Sequence, residues 1–190
     1  MADSIRIAQI SDIHIGPTSE PSNGVDTRAH FTAVMEHVMA SEVDLVVLSG
    51  DLALENGEPE AYEWILEEMS RYPVLYEVIS GNHDRVRELS KAFDLSEHVH
   101  DGELYFKSEI GGKPLLFLDS TIGEISVNQL QWLKKQAAKI GKDALIFVHH
   151  PIKISDCQDM DTKYALQNME EVQDVVCKLK NVKHTVTGHY

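Results

Sequence analysis

The stretch that decides the fold is Leu45-Val46-Val47-Leu48-Ser49-Gly50-Asp51, a short apolar run that ends in a turn and an aspartate. An apolar run of this length, bounded by polar residues, predicts a buried strand. The pattern recurs along the chain, and the other runs end at Ser11-Asp12, Ser80-Gly81-Asn82, His149-His150 and Gly188-His189. Amphipathic helical patterns separate the runs. The sequence therefore predicts an α/β domain in layers, with polar side chains at its strand ends.

The predicted elements follow one another with little interruption. We expect strands over Ile5–Ile10, Leu45–Leu48, Val74–Ile79, Ala144–Val148 and His184–Thr187. We expect a helix that is capped by Asp26 or Thr27, one that begins near Pro59, one that is capped by Asn128, and one that lies around Leu166. A hairpin of Glu103–Ile110 with Pro114–Leu118 turns at Gly111-Gly112 and makes the sheet mixed. Residues 1–190 are thus expected to form a single domain.

Composition excludes several classes of protein. No apolar run approaches the roughly 18 residues that a membrane span needs, and Asp3 and Arg6 interrupt the N-terminal run that a secretion signal would require. The net charge of −14 argues against nucleic-acid polymers and anionic membranes as partners. Cys157 and Cys177 form no CxxC pair, which suits a reducing cytoplasm. We expect a cytoplasmic protein with a small anionic substrate, and the sequence leaves open a homodimer.

The residues at the strand ends have the chemistry of a metal site. The candidate ligands are Asp12, His14, Asp51, Asn82, His149 and His189. A mixed set of oxygen and nitrogen donors without thiolates suits Mn, Fe or Zn. Asp12 and His14 are two residues apart on what we expect to be an extended segment, so that both side chains leave the same face. Asp51 has two carboxylate oxygens and could bridge two ions, which would generate a hydroxide and clamp a phosphoester.

Each of these residues, taken singly, also has an ordinary structural explanation. Asp51 and Asn82 follow glycines and could be turn residues, and a histidine can simply be buried and hydrogen-bonded. The joint occurrence of the motifs favours the metal site. His98 and His100 have an ordinary structural interpretation, with a place at the mouth of a pocket as the alternative. The polar loop Asp156–Asp161 is interpreted either as a solvated loop or as a substrate lid.

The motifs resemble, in order, the five blocks of the calcineurin-like metallophosphoesterases. The blocks are Asp12-Ile13-His14, Gly50-Asp51, Gly81-Asn82-His83-Asp84, His149-His150 and Gly188-His189. The stretches Gly57-Glu58-Pro59-Glu60-Ala61-Tyr62, Phe117-Leu118-Asp119-Ser120 and His149-His150-Pro151 look most like the class III branch, the cyclic-nucleotide and glycerophosphodiester phosphodiesterases. The resemblance spans residues 10–190. It implies layered mixed β-sheets, a β-sandwich flanked by helices, and metal-dependent hydrolysis of a small phosphodiester such as a cyclic nucleotide.

The resemblance also implies a role for each residue. Asp12 and His14 would bind the first metal ion and Asp51 would bridge to the second. Asn82, His149 and His189 would complete the second site, with His150 beside it. His83 would contact the phosphate and protonate the leaving oxygen. Asp84 would orient the His83 ring.

One departure concerns the last block, which in the family is Gly-His-x-His. The sequence has Gly188-His189-Tyr190 there, which leaves two alternatives: the sequence is a fragment of a longer chain, or the first ion keeps only Asp12, His14 and Asp51 together with solvent. The resemblance also implies that the last strands of the family fold are missing. The alternatives left open are a phosphomonoesterase that uses the same ions and a non-catalytic member that only binds metal.

Overall fold

The structure, a computed structural model, describes residues 4–22, 24–141 and 143–190. The strands are β1 (Ile7–Ile10), β2 (Leu45–Ser49), β3 (Leu75–Ile79), β4 (Val99–His100), β5 (Glu103–Leu104), β6 (Phe106–Ile110), β7 (Lys113–Phe117), β8 (Ala144–Phe147) and β9 (Val182–Val186). The helices are α1 (Thr27–Ala40), α2 (Pro59–Met69), α3 (Val86–Ala92), α4 (Val127–Lys139), α5 (Gln158–Lys163) and α6 (Met169–Val176). Among these residues, none of the helices has the length and apolar character needed to cross a membrane.

Two sheets form the layers of the domain. The first has the order β1-β2-β3 and is parallel, with Ile7 opposite Leu45 and Leu45 opposite Leu75. The second has the order β6-β7-β8-β9, in which β6 runs antiparallel to β7 and the remaining pairs are parallel. A short ribbon of β4 and β5 accompanies them. This arrangement confirms the predicted layered α/β fold with a mixed sheet.

The core is explained by the alternation of side chains along β7. Leu115 and Phe117 lie in one apolar cluster with residues of the first sheet, whereas Leu116 and Leu118 lie in a second cluster with α4 and α6. Phe117 stacks in the first cluster with its ring centroid 4.5 Å from that of Phe106. Both faces of this strand are therefore buried, as its continuous apolar run requires.

The structure contains α3, β4 and α5, which the sequence patterns do not predict, and it also differs from the predicted elements at α4 and β5. Helix α4 is capped by Ser126, whose hydroxyl accepts a hydrogen bond from the backbone N–H of Gln129 at 3.2 Å, so Asn128 lies inside the helix. Serine followed three residues later by glutamine is a capping pattern. The strand predicted over Glu103–Ile110 is split at Tyr105, because Glu103 and Leu104 pair with β4 instead of β7.

The carboxyl ends of the strands meet at one rim. The Ser11 hydroxyl donates to the carbonyl of Ser49 at 3.2 Å, which joins the ends of β1 and β2. The Gln9 amide donates to the carbonyl of Thr187 at 2.9 Å and so links the first sheet to the segment after β9. These contacts bring the polar residues that follow the strands together, as expected for ligand sites of α/β sheets.

Candidate metal centre

Asp51 lies at the centre of the candidate site. Its side chain is buried, and Oδ1 accepts a hydrogen bond from the backbone N–H of His83 at 2.8 Å. Its Oδ2 lies 3.3 Å from His149 Nε2, 3.9 Å from His14 Nε2 and 4.0 Å from His83 Nε2. One carboxylate oxygen therefore faces imidazoles from three different loops.

The donor atoms form two groups that share Asp51. Those of Asp12, Asp51, His149 and His189 lie within 4.8 Å of one another, and so do those of His14, Asp51 and His83. A shared carboxylate is what a bridging ligand requires. The grouping differs from the division implied by the family, because Asp12 lies with His149 and His189 and His14 lies with His83. Asn82 is exposed and lines the same cavity as His189.

Two backbone carbonyls determine which nitrogen each histidine presents to the site. His149 Nδ1 lies 3.0 Å from the carbonyl oxygen of Ser49, and His189 Nε2 lies 3.0 Å from that of Tyr164. Because a carbonyl oxygen only accepts, each of these nitrogens must carry a hydrogen. In the neutral rings, His149 Nε2 and His189 Nδ1 therefore hold lone pairs.

These two lone pairs face each other. The nitrogens are 3.1 Å apart, close to the separation of two ligand nitrogens that are each about 2.1 Å from one ion. Lone pairs at this distance repel unless a proton or a cation lies between them. Hydrogen bonds from the other ring nitrogens to carbonyls are usual for histidines that bind metals. The residues therefore fit a metal ion.

Four of the six candidate ligands have an unusual backbone conformation. Asp12, His14, Asp51 and His189 have φ values of 55°, 46°, 51° and 76°, in the left-handed region that non-glycine residues rarely adopt. The expectation that Asp12 and His14 lie on an extended segment is therefore wrong. Their loop is held instead by backbone hydrogen bonds from Asp12 N to the Gly50 carbonyl and from His14 N to the Asp51 carbonyl, both 3.1 Å long. Such strain is found preferentially at functional sites.

Glycines precede the ligands where the backbone approaches another part of the site. A Cβ atom on Gly50 would lie 2.6 Å from His149 Nδ1, and Gly50 has a φ of 93°. A Cβ atom on Gly81 would collide with Asp51 Oδ1. The glycines of the Gly50-Asp51 and Gly81-Asn82 motifs are thus required by close packing within the site.

His83 is oriented by a carbonyl and not by its neighbour Asp84. His83 Nδ1 donates to the carbonyl of Leu54 at 2.7 Å, which leaves Nε2 facing Asp51. The Asp84 carboxylate accepts hydrogen bonds from Gly81 N at 2.8 Å, Ala53 N at 3.0 Å, Leu52 N at 3.2 Å and the Tyr62 hydroxyl at 2.9 Å. This corrects the role that the resemblance implied. Asp84 holds the loops of Asp51 and Asn82 together.

At Asp51 and His149 the neighbouring charges outweigh the effect of burial on the pKa. Burial alone would raise the pKa of Asp51, but the hydrogen bond and charge of His149 and the contacts with His83 outweigh it and lower the pKa to about 2. Burial would lower the pKa of His149, yet the Asp51 carboxylate raises it. Burial and the charge of His149 lower the pKa of His189. Asp51 is thus an anion at neutral pH, the form that binds metal.

Sequence reasoning missed several groups that support the site. The carbonyls of Ser49, Leu54 and Tyr164 have no signal in the sequence, since every residue has a carbonyl. Ser120 was quoted only as part of a motif, and its hydroxyl lies 2.8 Å from Nδ1 of the buried His150. Tyr62 could have been found, because a tyrosine on a buried helix face usually needs a partner for its hydroxyl.

Two cavities share the Asn82 side of the site. The larger, of 410 Å³, is lined by Asn82, His150 and His189 of the candidate site and by Ile122, Lys163 and Tyr164. We call it the Tyr164 cavity. The smaller, of 280 Å³, has an acidic lining that includes Asp84, Glu103, Asp119 and Glu124, together with Arg85. The loop predicted over Asp156–Asp161 contains part of α5. Lys163, the last residue of α5, and the following Tyr164 line the larger cavity.

His98 and His100 make ordinary aromatic contacts. The His98 ring stacks on Phe106 with centroids 4.7 Å apart, and His100 lies 4.6 Å from the ring of Tyr105. This packing agrees with the structural interpretation of both histidines.

Comparison of the sequence with protein families gives a match to the calcineurin-like phosphoesterase model over residues 5–190. The chain is 39% identical over 186 residues to a probable cyclic nucleotide phosphodiesterase of Fibrobacter succinogenes, covering 98% of this chain and 72% of that protein. It is 29% identical to a probable glycerophosphodiester phosphodiesterase of Arcobacter nitrofigilis, covering 96% of this chain and 70% of that protein.

Comparison with solved structures finds the same fold. A dimetal phosphatase from Danio rerio superposes with a TM-score of 0.74 at 15% identity, covering 97% of this chain and 81% of that one. A purple acid phosphatase from yellow lupin gives a TM-score of 0.75 at 15% identity, with all of this chain matched to 38% of the larger protein.

Proposed function

Because the chain belongs to the calcineurin-like phosphoesterase family, we propose that it hydrolyses small phosphodiesters, and cyclic nucleotides before others, at a site for two metal ions. The observation that carries the proposal is the position of Asp51, whose buried carboxylate belongs to two separate groups of donor atoms. The relatives named as phosphodiesterases support the choice of a diester over a monoester.

The residues divide the work between holding charge and moving a proton. Asp12, His14, Asp51, Asn82, His149 and His189 would hold the ions, which supply Lewis-acid charge and activate water when they are bound. Ser49 and Tyr164 keep the rings of His149 and His189 in the tautomer that leaves the ligand nitrogens free. The close approach of Gly50 to His149 and of Gly81 to Asp51 keeps these donors fixed before a substrate arrives.

His83 is the candidate proton donor. Its Nδ1–H is engaged by the Leu54 carbonyl, so a proton for the leaving oxygen would be released at Nε2. His83 is also the partner of Asp51 through its backbone N–H, which ties its position to the metal ligands. A general acid placed in this way typically accelerates ester cleavage by about 10²–10⁴-fold.

The donor types, the net charge and the cysteines support further proposals about the metal ions, the partners and the location of the protein. The oxygen and nitrogen donors support Mn, Fe or Zn as the two ions. The net charge of −14 supports a small substrate over a nucleic-acid polymer and makes cations necessary for binding an anion. We also propose a cytoplasmic location, supported by two cysteines that are free and exposed in the structure. Whether the active form is a homodimer is to be read from its mass in solution.

The test compares diester and monoester hydrolysis with and without Mn²⁺. We expect purified protein with Mn²⁺ to hydrolyse bis(p-nitrophenyl) phosphate and 3′,5′-cyclic AMP faster than p-nitrophenyl phosphate, and Asp51→Asn to lose this activity. Asp174→Asn, an exposed carboxylate on α6, is the matched control that keeps it. Preference for the monoester would support a phosphatase instead. Metal binding without any hydrolysis would support a non-catalytic protein.

A further inference from the structure

The Tyr164 cavity combines a polar floor with an apolar rim. Its floor contains His150 and the candidate ligands Asn82 and His189, so an ester held by the ions would reach into it. At its rim, Ile122 is 71% exposed and Tyr164 is 55% exposed. Isolated exposed apolar residues are common on protein surfaces. These two side chains both line the Tyr164 cavity beside the reacting centre, and Ile122 also lines the smaller cavity.

The walls of the cavity are fixed to each other and to the metal centre. Gln167 N donates to the carbonyl of Gly123 at 2.8 Å, which joins the segment after Tyr164 to the loop that contains Ile122. The neighbouring Asn168 side chain donates to the Ile125 carbonyl at 2.8 Å. At the other end, the Tyr164 carbonyl holds the His189 ring. The backbone segments that carry the two apolar side chains are therefore joined before any ligand binds.

Charge distinguishes this cavity from the acidic one next to it. Lys163 lines the Tyr164 cavity, whereas Glu103, Asp119 and Glu124 line the smaller cavity. An anionic ester with a flat, uncharged organic group suits the first cavity. An alcohol with an ammonium group would favour the second. The volume of 410 Å³ is in the usual range for small-ligand pockets, about 300–1,000 Å³.

We propose that Ile122 and Tyr164 form a clamp for the base of a nucleotide and so select a nucleotide over a glycerol ester at this site. This inference rests on the proposed function and assigns the residues that recognise the organic group of its substrate. The aromatic face of Tyr164 stacks on the base, and Ile122 contacts the opposite side of the cavity. Burial of these side chains by the ligand removes apolar surface from water, which favours binding.

The experiment measures binding of the product 5′-AMP, so that it does not depend on turnover. Calorimetry in Mn²⁺ gives the Kd of 5′-AMP, glycerol 3-phosphate and inorganic phosphate for each variant. We expect Tyr164→Ala to raise the Kd of 5′-AMP by about 5-fold to 100-fold, the usual effect of losing a stacked aromatic residue. The Kd of inorganic phosphate should not change. Ile122→Ala should have a smaller effect and Tyr164→Phe almost none. Leu75→Ala, on the exposed part of β3, is the matched control.

The outcomes separate the clamp from the proposed function. An unchanged Kd of 5′-AMP in Tyr164→Ala would overturn the clamp, even in an active enzyme. An equal loss for 5′-AMP and phosphate would also overturn it, because the change would then act through His189 and the metal. Tighter binding of glycerol 3-phosphate than of 5′-AMP would show that the cavity is not built for a base. Absence of hydrolysis on every diester would refute the proposed function and leave the binding result to decide the clamp.

Discussion

Substitution of Asp84 by asparagine tests what this buried carboxylate does. If Asp84 only oriented the His83 ring, Asp84→Asn would slow turnover and leave metal affinity unchanged. The structure predicts the opposite, because the carboxylate accepts hydrogen bonds from the loops that contain Asp51 and Asn82. Asp84→Asn should therefore weaken both folding and metal binding.

The magnitude follows from the donors that surround Asp84. If the amide nitrogen replaces Oδ2, it faces the N–H of Gly81, and if it replaces Oδ1, it faces the N–H of Ala53 and the hydroxyl of Tyr62. Either orientation leaves at least one buried donor without an acceptor, which costs about 1–3 kcal/mol in the free energy of unfolding. Loss of a group that positions metal ligands typically costs about 10–100-fold in metal affinity.

The assay combines urea unfolding, followed by circular dichroism, with calorimetric titration of Mn²⁺. Tyr62→Phe removes the hydrogen bond that the hydroxyl donates to Asp84 and the one that it accepts from Arg85 N at 3.2 Å, and should lower the free energy of unfolding by about 1–3 kcal/mol. Glu68→Gln changes a buried carboxylate on α2 that contacts Thr32 and Tyr72, so it is a control for destabilisation outside the site. Wild-type metal affinity in Asp84→Asn, at any stability, would refute the reasoning.

Three further predictions follow from the same contacts. Asp51→Asn should remove most bound metal, measured by elemental analysis of purified protein, and full retention would contradict a bridging role. His83→Ala should keep its metal but lose about 10²–10⁴-fold in turnover on an alkyl diester, with a smaller loss on p-nitrophenyl esters, whose leaving oxygen needs little protonation. Equal losses on both would assign His83 to phosphate binding. Burial raises the pKa of Glu68, but its hydrogen bonds with Arg71, Thr32 and Tyr72 outweigh this and lower it. Its contribution to stability is thus present at neutral pH and disappears as the pH falls through the folded-state pKa. Glu68→Gln should therefore cost about 1–3 kcal/mol in urea unfolding at pH 7 and progressively less as the pH falls through the folded-state pKa, and a cost independent of pH would contradict this.

Much of the fold could be predicted because short apolar runs and helix caps mark many of the strands and helices in the sequence. The run Leu45–Leu48 is apolar throughout and is a buried strand, and Asp26 caps α1 through a hydrogen bond from Ala29 N as its position suggested. The division of Glu103–Ile110 into two strands could not be predicted, because the pairing of β5 with β4 depends on contacts between segments and not on either segment alone.

The candidate ligands were predictable as residues, but their arrangement was not. Their positions after strands follow from the sequence. The structure groups the donor atoms of five of them around Asp51 and places Asn82 in the adjoining cavity. Their conformation depends on backbone hydrogen bonds between loops, such as that from His14 N to the Asp51 carbonyl, which no periodicity reports. The same holds for Asp84, whose neighbour in sequence is His83 but whose partners in space are the N–H groups of other loops.

The left-handed conformation of Asp12, His14, Asp51 and His189 lowers the stability of the fold at the positions that supply metal donors. In such a conformation a residue with a side chain is less stable than glycine, by about 1–3 kcal/mol for most residue types. Glycine at any of these positions would relax the backbone and delete a metal donor. A laboratory evolution experiment that selects only for thermal stability of the metal-free chain should therefore replace these ligands by glycine first. Selection for hydrolysis would restore the strained residues, so the two regimes would diverge at the same few positions.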